Sequence, residues 1–217
     1  MFDFHRHFTL SKPIESAFYA TSSINEWEKE APYLSYGILA NNIDLSVSEF
    51  ENILEKKLKE NPSSHVGEIG LDKRFDNIEQ QIKFLNVAIK LSYTYKRILT
   101  VHVVNLTQLL IDILESNKDN LPNRIIYHGF NKSVELAKQL KKYNITVSLN
   151  PKVEQTRLIK NIKQLDKIGF LLESDWDCEN DDNYISYFEN FTKKIEALGA
   201  IRFKETNNEF RTILKNF

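Results

Sequence analysis

Short apolar runs alternate with longer amphipathic segments along nearly the whole chain. Runs of about four to eight apolar residues are typical of buried strands, whereas the segments between them repeat their apolar positions at helical spacing. The pattern predicts eight strands, and strands that alternate with helices form a parallel sheet. The predicted strands span residues 2–7, 17–21, 34–39, 65–69, 98–103, 125–128, 145–149 and 169–173.

The amphipathic segments carry helix signals of their own. Ser46 and Glu49 form an S-x-x-E capping box ahead of an apolar stripe, and Thr206 with Glu209 forms a second one near the end of the chain. Only residues 22–33 separate the second and third strands, which is too few for a long helix. Further helices are predicted over residues 77–95, 106–113, 134–140, 158–165 and 184–198.

The chain is long enough for one closed barrel but short for that fold. Its 217 residues are 41% hydrophobic and show no break in composition, which favours a single domain over residues 1–217. A full (β/α)8 barrel usually takes about 250 residues, with a minimum of about 200. The sequence therefore predicts an α/β fold, a compact (β/α)8 TIM-type barrel with trimmed connections.

Composition and the apolar pattern indicate the cellular compartment and exclude some classes of partner. The one cysteine, Cys178, permits no internal disulfide, which fits a reducing compartment. The chain begins with a predicted strand and has no run near the roughly 18 apolar residues of a membrane span. We therefore expect a cytoplasmic protein with no membrane contact and no obligate protein partner. A net charge of −1 excludes a protein that coats nucleic acid through an overall basic surface.

Side chains of the kind that bind metals stand at the downstream ends of several predicted strands. Imidazole and carboxylate groups suit borderline and hard divalent ions, and the carboxyl ends of barrel strands meet at one face. One ligand at each of several strand ends would therefore form one cluster. The residues in question are His5, His7, Glu68, His102, His128 and Asp175.

Strand geometry indicates which neighbouring residues can take part in this cluster and which cannot. Residues two apart point to the same face of a strand, so His5 and His7 can reach the same ion. Asp3 is expected on that face too, where it would fix an imidazole tautomer or only contact the backbone. His65 precedes its strand and is excluded, and Glu173 is left unassigned.

The sequence around Glu68 is the most specific motif of the chain. Residues 67–72 read Gly-Glu-Ile-Gly-Leu-Asp, and the following helix carries Gln80-x-x-x-Phe84 and Ala88. With these motifs the chain resembles the TatD family of metal-dependent deoxyribonucleases, which belongs to the amidohydrolase-like metal hydrolases. The resemblance runs over residues 2–175 and, more faintly, over residues 208–217.

The resemblance implies two divalent metal ions, Mg, Mn or Zn. Two such ions about 3.5 to 4 Å apart lower the pKa of a shared water and clamp the attacking and leaving oxygens of a phosphodiester. Glu68 and Asp175 would be the catalytic residues, with Asp175 orienting or deprotonating that water. Glu68 would also bridge the ions, and the other ligands would divide into His5, His7 and Asp175 for one ion and His102 and His128 for the second.

Four departures from the family pattern surround this ligand set. Leu39 stands where the family usually has the histidine of Gly-Ile-His-Pro, and Val104 stands where it has an arginine that would clamp a phosphate. Gly129 replaces the cysteine of His-Cys-Phe-Ser-Gly, and Asp177 replaces the proline of Thr-Asp-Ala-Pro. These differences bear on the substrate more than on the chemistry.

The resemblance implies a deoxyribonuclease with DNA as its substrate, and a recessed two-metal site favours exonucleolytic cutting at single-stranded ends. A hydrolase of a small amide, ester or lactone stays open as an alternative, because a bridged hydroxide attacks carbonyl carbon as readily. The complete ligand set disfavours a third interpretation, an accessory protein that keeps the metals as a scaffold. The substrate-binding residues stay unassigned, and the candidates for the rim are Arg6, Asp72, Lys73, Arg74 and Lys132.

Overall fold

Eight parallel strands lie in chain order around a nearly closed barrel in the computed structural model, which describes residues 1–216. Every strand expected from the apolar runs is present, so the predicted parallel barrel is confirmed. The strands are β1 Asp3–Arg6, β2 Ala17–Ala20, β3 Leu34–Ile38, β4 His65–Asp72, β5 Leu99–Val104, β6 Ile125–Tyr127, β7 Ile145–Leu149 and β8 Leu171–Leu172.

The chain just after β8 completes the barrel. β8 pairs with β7, and an isolated bridge joins Arg6 to Trp176 next to β1. The backbone N–H of Asp175 donates to the carbonyl of His5 at 3.0 Å, and that of His7 donates to the carbonyl of Trp176 at 2.9 Å. These bonds bring Asp175 beside the first strand although the two are far apart in sequence.

Helices surround the barrel, and one connection is trimmed as predicted. Only the 3₁₀ turn Ile24–Glu26 lies between β2 and β3. The apolar stripe predicted as one helix over 158–165 forms the 3₁₀ segment Arg157–Asn161 followed by a short α-helix. No helix within residues 1–216 is both long and apolar enough to cross a bilayer. The α-helices are α1 Val47–Glu60, α2 Ile78–Thr94, α3 Thr107–Ser116, α4 Val134–Leu140, α5 Ile162–Asp166, α6 Tyr184–Ala197 and α7 Phe203–Lys215.

The first predicted capping box is confirmed. The N–H of Glu49 donates to the Ser46 hydroxyl at 3.3 Å, and the N–H of Ser46 donates to the Glu49 carboxylate at 2.9 Å. Two amides that the first turn of α1 leaves without a helical partner are thereby satisfied.

The second predicted capping box is wrong. α7 begins at Phe203, so Thr206 lies inside its first turn. The carboxylate of Asp166, at the end of α5, accepts the backbone N–H groups of Ile201, Arg202 and Phe203 at 2.9, 2.9 and 2.7 Å. A side chain remote in sequence thus satisfies amides at the start of this helix and just before it. Phe217, the last residue of the stretch with faint family resemblance, lies outside the described residues.

Apolar side chains close the amino end of the barrel. Phe4 and Phe18 of the first two strands cluster with Ile126 of β6 and Leu171 of β8, which are strands on different sides of the barrel. Phe210 of α7 joins this cluster, with its ring edge-on to Phe4 at 6.1 Å. This cluster covers one end of the barrel, and the active sites of parallel barrels lie at the other, carboxyl end.

Candidate metal centre

The structure brings the six predicted ligands together at the carboxyl edge of the barrel. Parallel strands present these ends to the same face, so residues distant in sequence become neighbours. Their positions are His5 in β1, His7 just beyond it, Glu68 in β4, His102 in β5, His128 just after β6 and Asp175 just after β8.

Glu68 lies at the centre of the cluster and divides it into two halves. Its Oε1 is 2.7 Å from His102 Nδ1 and 2.9 Å from His128 Nε2. Its Oε2 is 3.4 Å from His5 Nε2 and 3.6 Å from His7 Nε2. Each carboxylate oxygen therefore faces its own pair of imidazoles, which is the geometry required of a bridging ligand.

Within residues 1–216, two overlapping groups of side chains have their ligand atoms within 4.8 Å of one another. One group combines His5, Glu68 and His128, and the other combines His5, His7 and Asp175. His5 thus belongs to both groups, whereas the family resemblance assigned it to one ion.

Two buried atoms of this cluster indicate what it holds. His5 Nε2 and Glu68 Oε2 are inaccessible to solvent, and neither has a hydrogen-bond partner among residues 1–216. A buried polar atom without a partner costs about 1–3 kcal/mol. Because the two atoms lie only 3.4 Å apart at the centre of a nitrogen and oxygen donor set, a divalent cation between them would satisfy both. The residues therefore fit a metal centre.

Glycines on either side of Glu68 explain the Gly-Glu-Ile-Gly motif. Gly67 has φ of +125°, which disfavours any side chain. A Cβ at Gly70 would stand 1.9 Å from the carbonyl oxygen of His102. Both residues let β4 approach β5 closely, so the motif sets the separation between Glu68 and His102.

Mutual charge interactions fix the protonation of the central groups. Burial opposes the charge of Glu68, but the imidazoles of His128 and His5 prevail and hold its pKa well below the ordinary value. Burial also opposes the charge of His128, yet the carboxylates of Glu68 and Glu173 raise its pKa well above the ordinary value. Burial lowers the pKa of His5, and the neighbouring His128 adds to this effect.

The pKa of His7 and of Asp175 shift in opposite directions. Burial disfavours the charge of His7, but its hydrogen bond to Asp175 and the charge of Glu68 raise its pKa. Burial also disfavours the Asp175 carboxylate, but the His7 hydrogen bond, His128, His5 and Lys152 lower its pKa. The Asp175 carboxylate therefore stays ionised, as a metal ligand must be.

Glu173, which the sequence left unassigned, contacts a histidine of the cluster. Its fully buried carboxylate contacts His128 Nδ1 at 3.1 Å, accepts the N–H of Gly129 at 2.7 Å and accepts the hydroxyl of Ser148. The contact at Nδ1 turns His128 so that Nε2 faces Glu68. Carboxylates commonly orient metal-binding histidines in this way. Its position two residues before Asp175, on the same strand end, was the available signal.

Lys152 was also missed by the sequence analysis. Its ammonium donates to Asp175 Oδ2 at 2.7 Å, and Asn150 Nδ2 donates to the same oxygen at 3.2 Å. Partial burial disfavours the charge of Lys152, but the Asp175 carboxylate raises its pKa. Asn150 and Lys152 follow β7, a strand end for which the sequence pattern offered no imidazole or carboxylate.

Some of the candidates for the substrate rim support the cluster, and others are exposed to solvent. Asp72 is buried, with Oδ2 3.5 Å from His102 Nε2, and Arg74 Nε donates to its Oδ1 at 2.9 Å. Asp72 therefore fixes His102 with Nδ1 towards Glu68. Lys73 is exposed after β4, and Lys132 is half-buried in the loop after β6.

Arg6 does not lie on the rim. It is fully buried, its guanidinium carbon is 3.9 Å from the ring centre of Tyr184, and it pairs with Asp181 at 2.7 Å. Asp3 contacts the same Tyr184, whose hydroxyl donates to it at 2.9 Å. Residues three apart in a regular strand face opposite ways, and the register shift between Asp3 and Arg6 accounts for their shared side.

Asp3 contacts the backbone, the second of its two predicted roles. Its carboxylate accepts the N–H groups of His5 at 3.2 Å and Ser174 at 2.8 Å. Burial raises its pKa to about 6, although these bonds oppose the shift. His65 lies at the amino end of β4, where its Nδ1 accepts the N–H of Ile98 at 3.1 Å, away from the cluster as expected.

An imidazole and carboxylate cluster at the carboxyl edge of a parallel barrel is the arrangement of metal-dependent barrel hydrolases. The chain belongs to the family of TatD-related DNases, whose family model matches residues 5–217. This confirms the resemblance inferred from the Gly-Glu-Ile-Gly motif. The family is one of metal-dependent hydrolases, and two groups of residues here could hold a metal ion.

Solved structures support the fold. YjjV, a TatD homologue from Escherichia coli K12, is similar with a TM-score of 0.63 and 20% identity, over 73% of this chain and 66% of that one. A TatD family hydrolase from Entamoeba histolytica gives a TM-score of 0.53 and 16% identity, over 73% of this chain and 60% of that one. The matched part is less than two thirds of either relative. A search of curated proteins finds no match.

Proposed function

We propose that the chain is a two-metal phosphodiesterase that cuts DNA from single-stranded ends. The single observation that carries this proposal is the position of Glu68, whose two oxygens face separate pairs of imidazoles at 2.7 to 3.6 Å. A bridging carboxylate is what a two-metal site needs. The match to the family of TatD-related DNases supports the phosphodiester as the bond that is cut.

Some residues of the cluster would hold the metal ions, and others orient the imidazoles that would bind them. His5, His7 and Asp175 would hold one ion, His102 and His128 the other, and Glu68 both. When bound, the ions would lower the pKa of a water and neutralise charge on a phosphate. Glu173 and Asp72 hold the imidazoles of His128 and His102 in the orientation that points one nitrogen of each at Glu68. The Asp175 carboxylate would orient the attacking water and take its proton.

Metal binding is the first prediction. The purified protein should bind about two divalent ions per chain, and saturation with the preferred ion should raise its melting temperature. Each ion at a concentration of 100 times its Kd adds about 2.7 kcal/mol to the free energy of unfolding. For a chain of this length that corresponds to roughly 5–11 °C per ion. Elemental analysis, calorimetric titration with Mg²⁺, Mn²⁺ and Zn²⁺, and thermal scans would measure it. Binding of none of these ions at saturating concentration would contradict the metal centre.

The same titration should depend on pH with a definite sign. Carboxylates raise the pKa of His7 and His128, so their protons must leave before a metal binds. Metal affinity should therefore rise with pH from the acid side and level off once these imidazoles are neutral. Titrations in buffers of different ionisation enthalpy would count the protons released, and an uptake of protons on binding would contradict this assignment.

The substrate is the second prediction. A chain with a net charge of −1 should grip DNA through its metals and a few rim charges, so the salt dependence should be shallow, with about two or three phosphates neutralised. Cutting should favour ends over internal bonds. Cleavage of linear, 3′-blocked, 5′-blocked and circular single-stranded DNA at several salt concentrations would measure both properties. Circular DNA cut as fast as linear DNA would contradict the end-directed mode.

A carbonyl hydrolase is the second candidate, and one observation favours it. Val104 stands at the end of β5 where the family usually has an arginine, so this strand supplies no cation for a phosphate. A panel of p-nitrophenyl esters and lactones, assayed beside the DNA substrates, separates the two candidates. Turnover of an ester with no cutting of any DNA would put the carbonyl hydrolase in the place of the nuclease.

A further inference from the structure

Lys152 joins the metal cluster to a cavity outside it. Its ammonium contacts Asp175 Oδ2 at 2.7 Å, while its side chain is 72% exposed. The cavity has a volume of about 520 Å³, within the range of roughly 300–1,000 Å³ that small-molecule sites occupy. Its lining combines Lys152 and its neighbours in the 3₁₀ segment Pro151–Gln155 with residues of α6. The cavity therefore begins beside the metal centre.

The backbone beneath Lys152 is held in place. Asn150 Oδ1 accepts the N–H of Lys152 at 3.1 Å, and Pro151 starts the 3₁₀ segment Pro151–Gln155. Asn150 also donates its side-chain amide to Asp175 at 3.2 Å. The backbone of Lys152 is thus fixed relative to Asp175, a candidate ligand of the cluster. Its long exposed stem leaves the ammonium free to move from Asp175 to an anion beside it.

An aromatic side chain also lines the cavity. Tyr187 of α6 is 36% exposed, and its ring centre lies 5.2 Å from that of Trp176. Trp176 is buried, follows Asp175 directly and donates its indole N–H to the carbonyl of Asn180 at 3.1 Å. The tyrosine ring therefore packs against Trp176 and is partly exposed where it lines the cavity. Such a ring is a platform on which a nucleobase can stack.

The remaining lining combines the apolar residues Pro151 and Phe191 with polar groups that carry little net charge. Asn190 and Gln155 supply amide groups that can donate and accept, which suits the edge of a base. Lys194 is paired with Glu154, so these two charges offset each other. Lys152 is then the cation of the cavity that lies nearest the reacting centre. A cation at the cluster and an aromatic ring in the same cavity match a phosphate and its adjoining nucleoside.

We propose that Lys152 binds a phosphate of the substrate and that the cavity between Lys152 and Tyr187 receives the adjoining nucleoside. The inference rests on the proposed phosphodiesterase function and names the substrate site of that function. Val104 leaves the β5 side of the cluster without the family's arginine. Lys152 supplies a cation from the β7 side instead. The substrate class is a nucleotide of single-stranded DNA, because a base that is paired in a duplex could not lie against Tyr187.

The test measures binding directly, with deoxythymidine 5′-monophosphate and inorganic phosphate as probes in excess Mg²⁺. Lys152→Met, which keeps the length but not the charge, should weaken binding of both probes by roughly tenfold to a hundredfold, the value of a hydrogen bond to a charged group. Lys152→Arg should restore most of the affinity. Lys90→Met is the matched control, because Lys90 is also exposed and also pairs with a carboxylate, Glu51 at 2.6 Å.

The nucleoside part has its own pair of variants. Tyr187→Leu should weaken binding of the nucleotide by roughly fivefold to a hundredfold and leave inorganic phosphate unaffected, because base stacking is lost. Tyr187→Phe should bind both probes like the wild type, since it keeps the ring. Circular dichroism and thermal scans would establish that every variant is folded.

The outcomes separate this inference from the proposed function. Unchanged probe binding by folded Lys152→Met, or an equal loss in Lys90→Met, overturns the inference. A change in metal affinity without any change in phosphate binding also overturns it, since Lys152 would then only neutralise Asp175. Loss of binding as expected, with no DNA cut by the wild type, supports the nucleotide site and contradicts the nuclease. Cutting of DNA that neither Lys152→Met nor Tyr187→Leu slows supports the nuclease and overturns the site.

Discussion

Glu68→Gln should reduce hydrolysis by more than about a hundredfold and should lower the number of divalent ions bound per chain. An amide offers one oxygen and one NH₂ group, so it cannot face both pairs of imidazoles as an acceptor. Removal of a partner that merely orients a metal ligand costs roughly 10- to 100-fold in metal affinity or activity, and removal of a bridging ligand should cost more. The rate on the substrate that the wild type cuts, and the metal content by elemental analysis, would measure the two effects.

The matched control for Glu68→Gln is His65→Asn on the same strand. His65 is buried at the amino end of β4, and an asparagine oxygen can take the place of its Nδ1 acceptor for the N–H of Ile98. We expect this variant to keep both metal binding and activity. If folded His65→Asn lost as much activity as Glu68→Gln, the assignment of the reacting face to the carboxyl end of the barrel would be wrong.

The barrel was predictable because each strand is a short, continuous apolar run. A strand covered on both faces needs such a run whatever its neighbours are, so the signal is local. Helix starts were less predictable, as Ser46 and Thr206 illustrate. The box at Ser46 closes on itself, whereas α7 takes its cap from Asp166, 37 residues away from Phe203. A competing carboxylate from another element leaves no mark near the helix it caps.

The clustering of the six candidate ligands was predictable for a similar reason. Histidines and carboxylates at strand ends are visible residue by residue, and the parallel topology brings those ends together. The supporting groups were not predictable, because their roles depend on partners from other strands. Glu173 acts on His128 across 45 residues, and Lys152 acts on Asp175 across 23. The side of β1 that Asp3 faces depends on a register shift that the alternation of residues does not show.

Asp175→Asn should lower kcat by roughly 10²–10⁴-fold, the range that a general base contributes. Asparagine is nearly isosteric but neutral, so it cannot take a proton from the attacking water. The backbone bond from residue 175 to the carbonyl of His5 involves no side chain and should persist in the variant. The half of the cluster around Glu68, His102 and His128 does not include Asp175, so one ion per chain should remain bound. Rates measured at saturating substrate, beside a metal titration, separate loss of the base from loss of the ion.

Asp177→Asn is the control that separates the effect of losing the carboxylate at position 175 from the effect of lowering the negative charge of the loop. Asp177 is an exposed carboxylate two residues further along the same segment, and its charge also acts on Lys152. Removing it changes the net charge by the same amount but touches no ligand of the cluster, so kcat should stay close to that of the wild type. Should folded Asp175→Asn retain the wild-type kcat with its metals bound, neither the water-orienting role nor the proton transfer could belong to Asp175. A group from the other half of the cluster would then have to perform them.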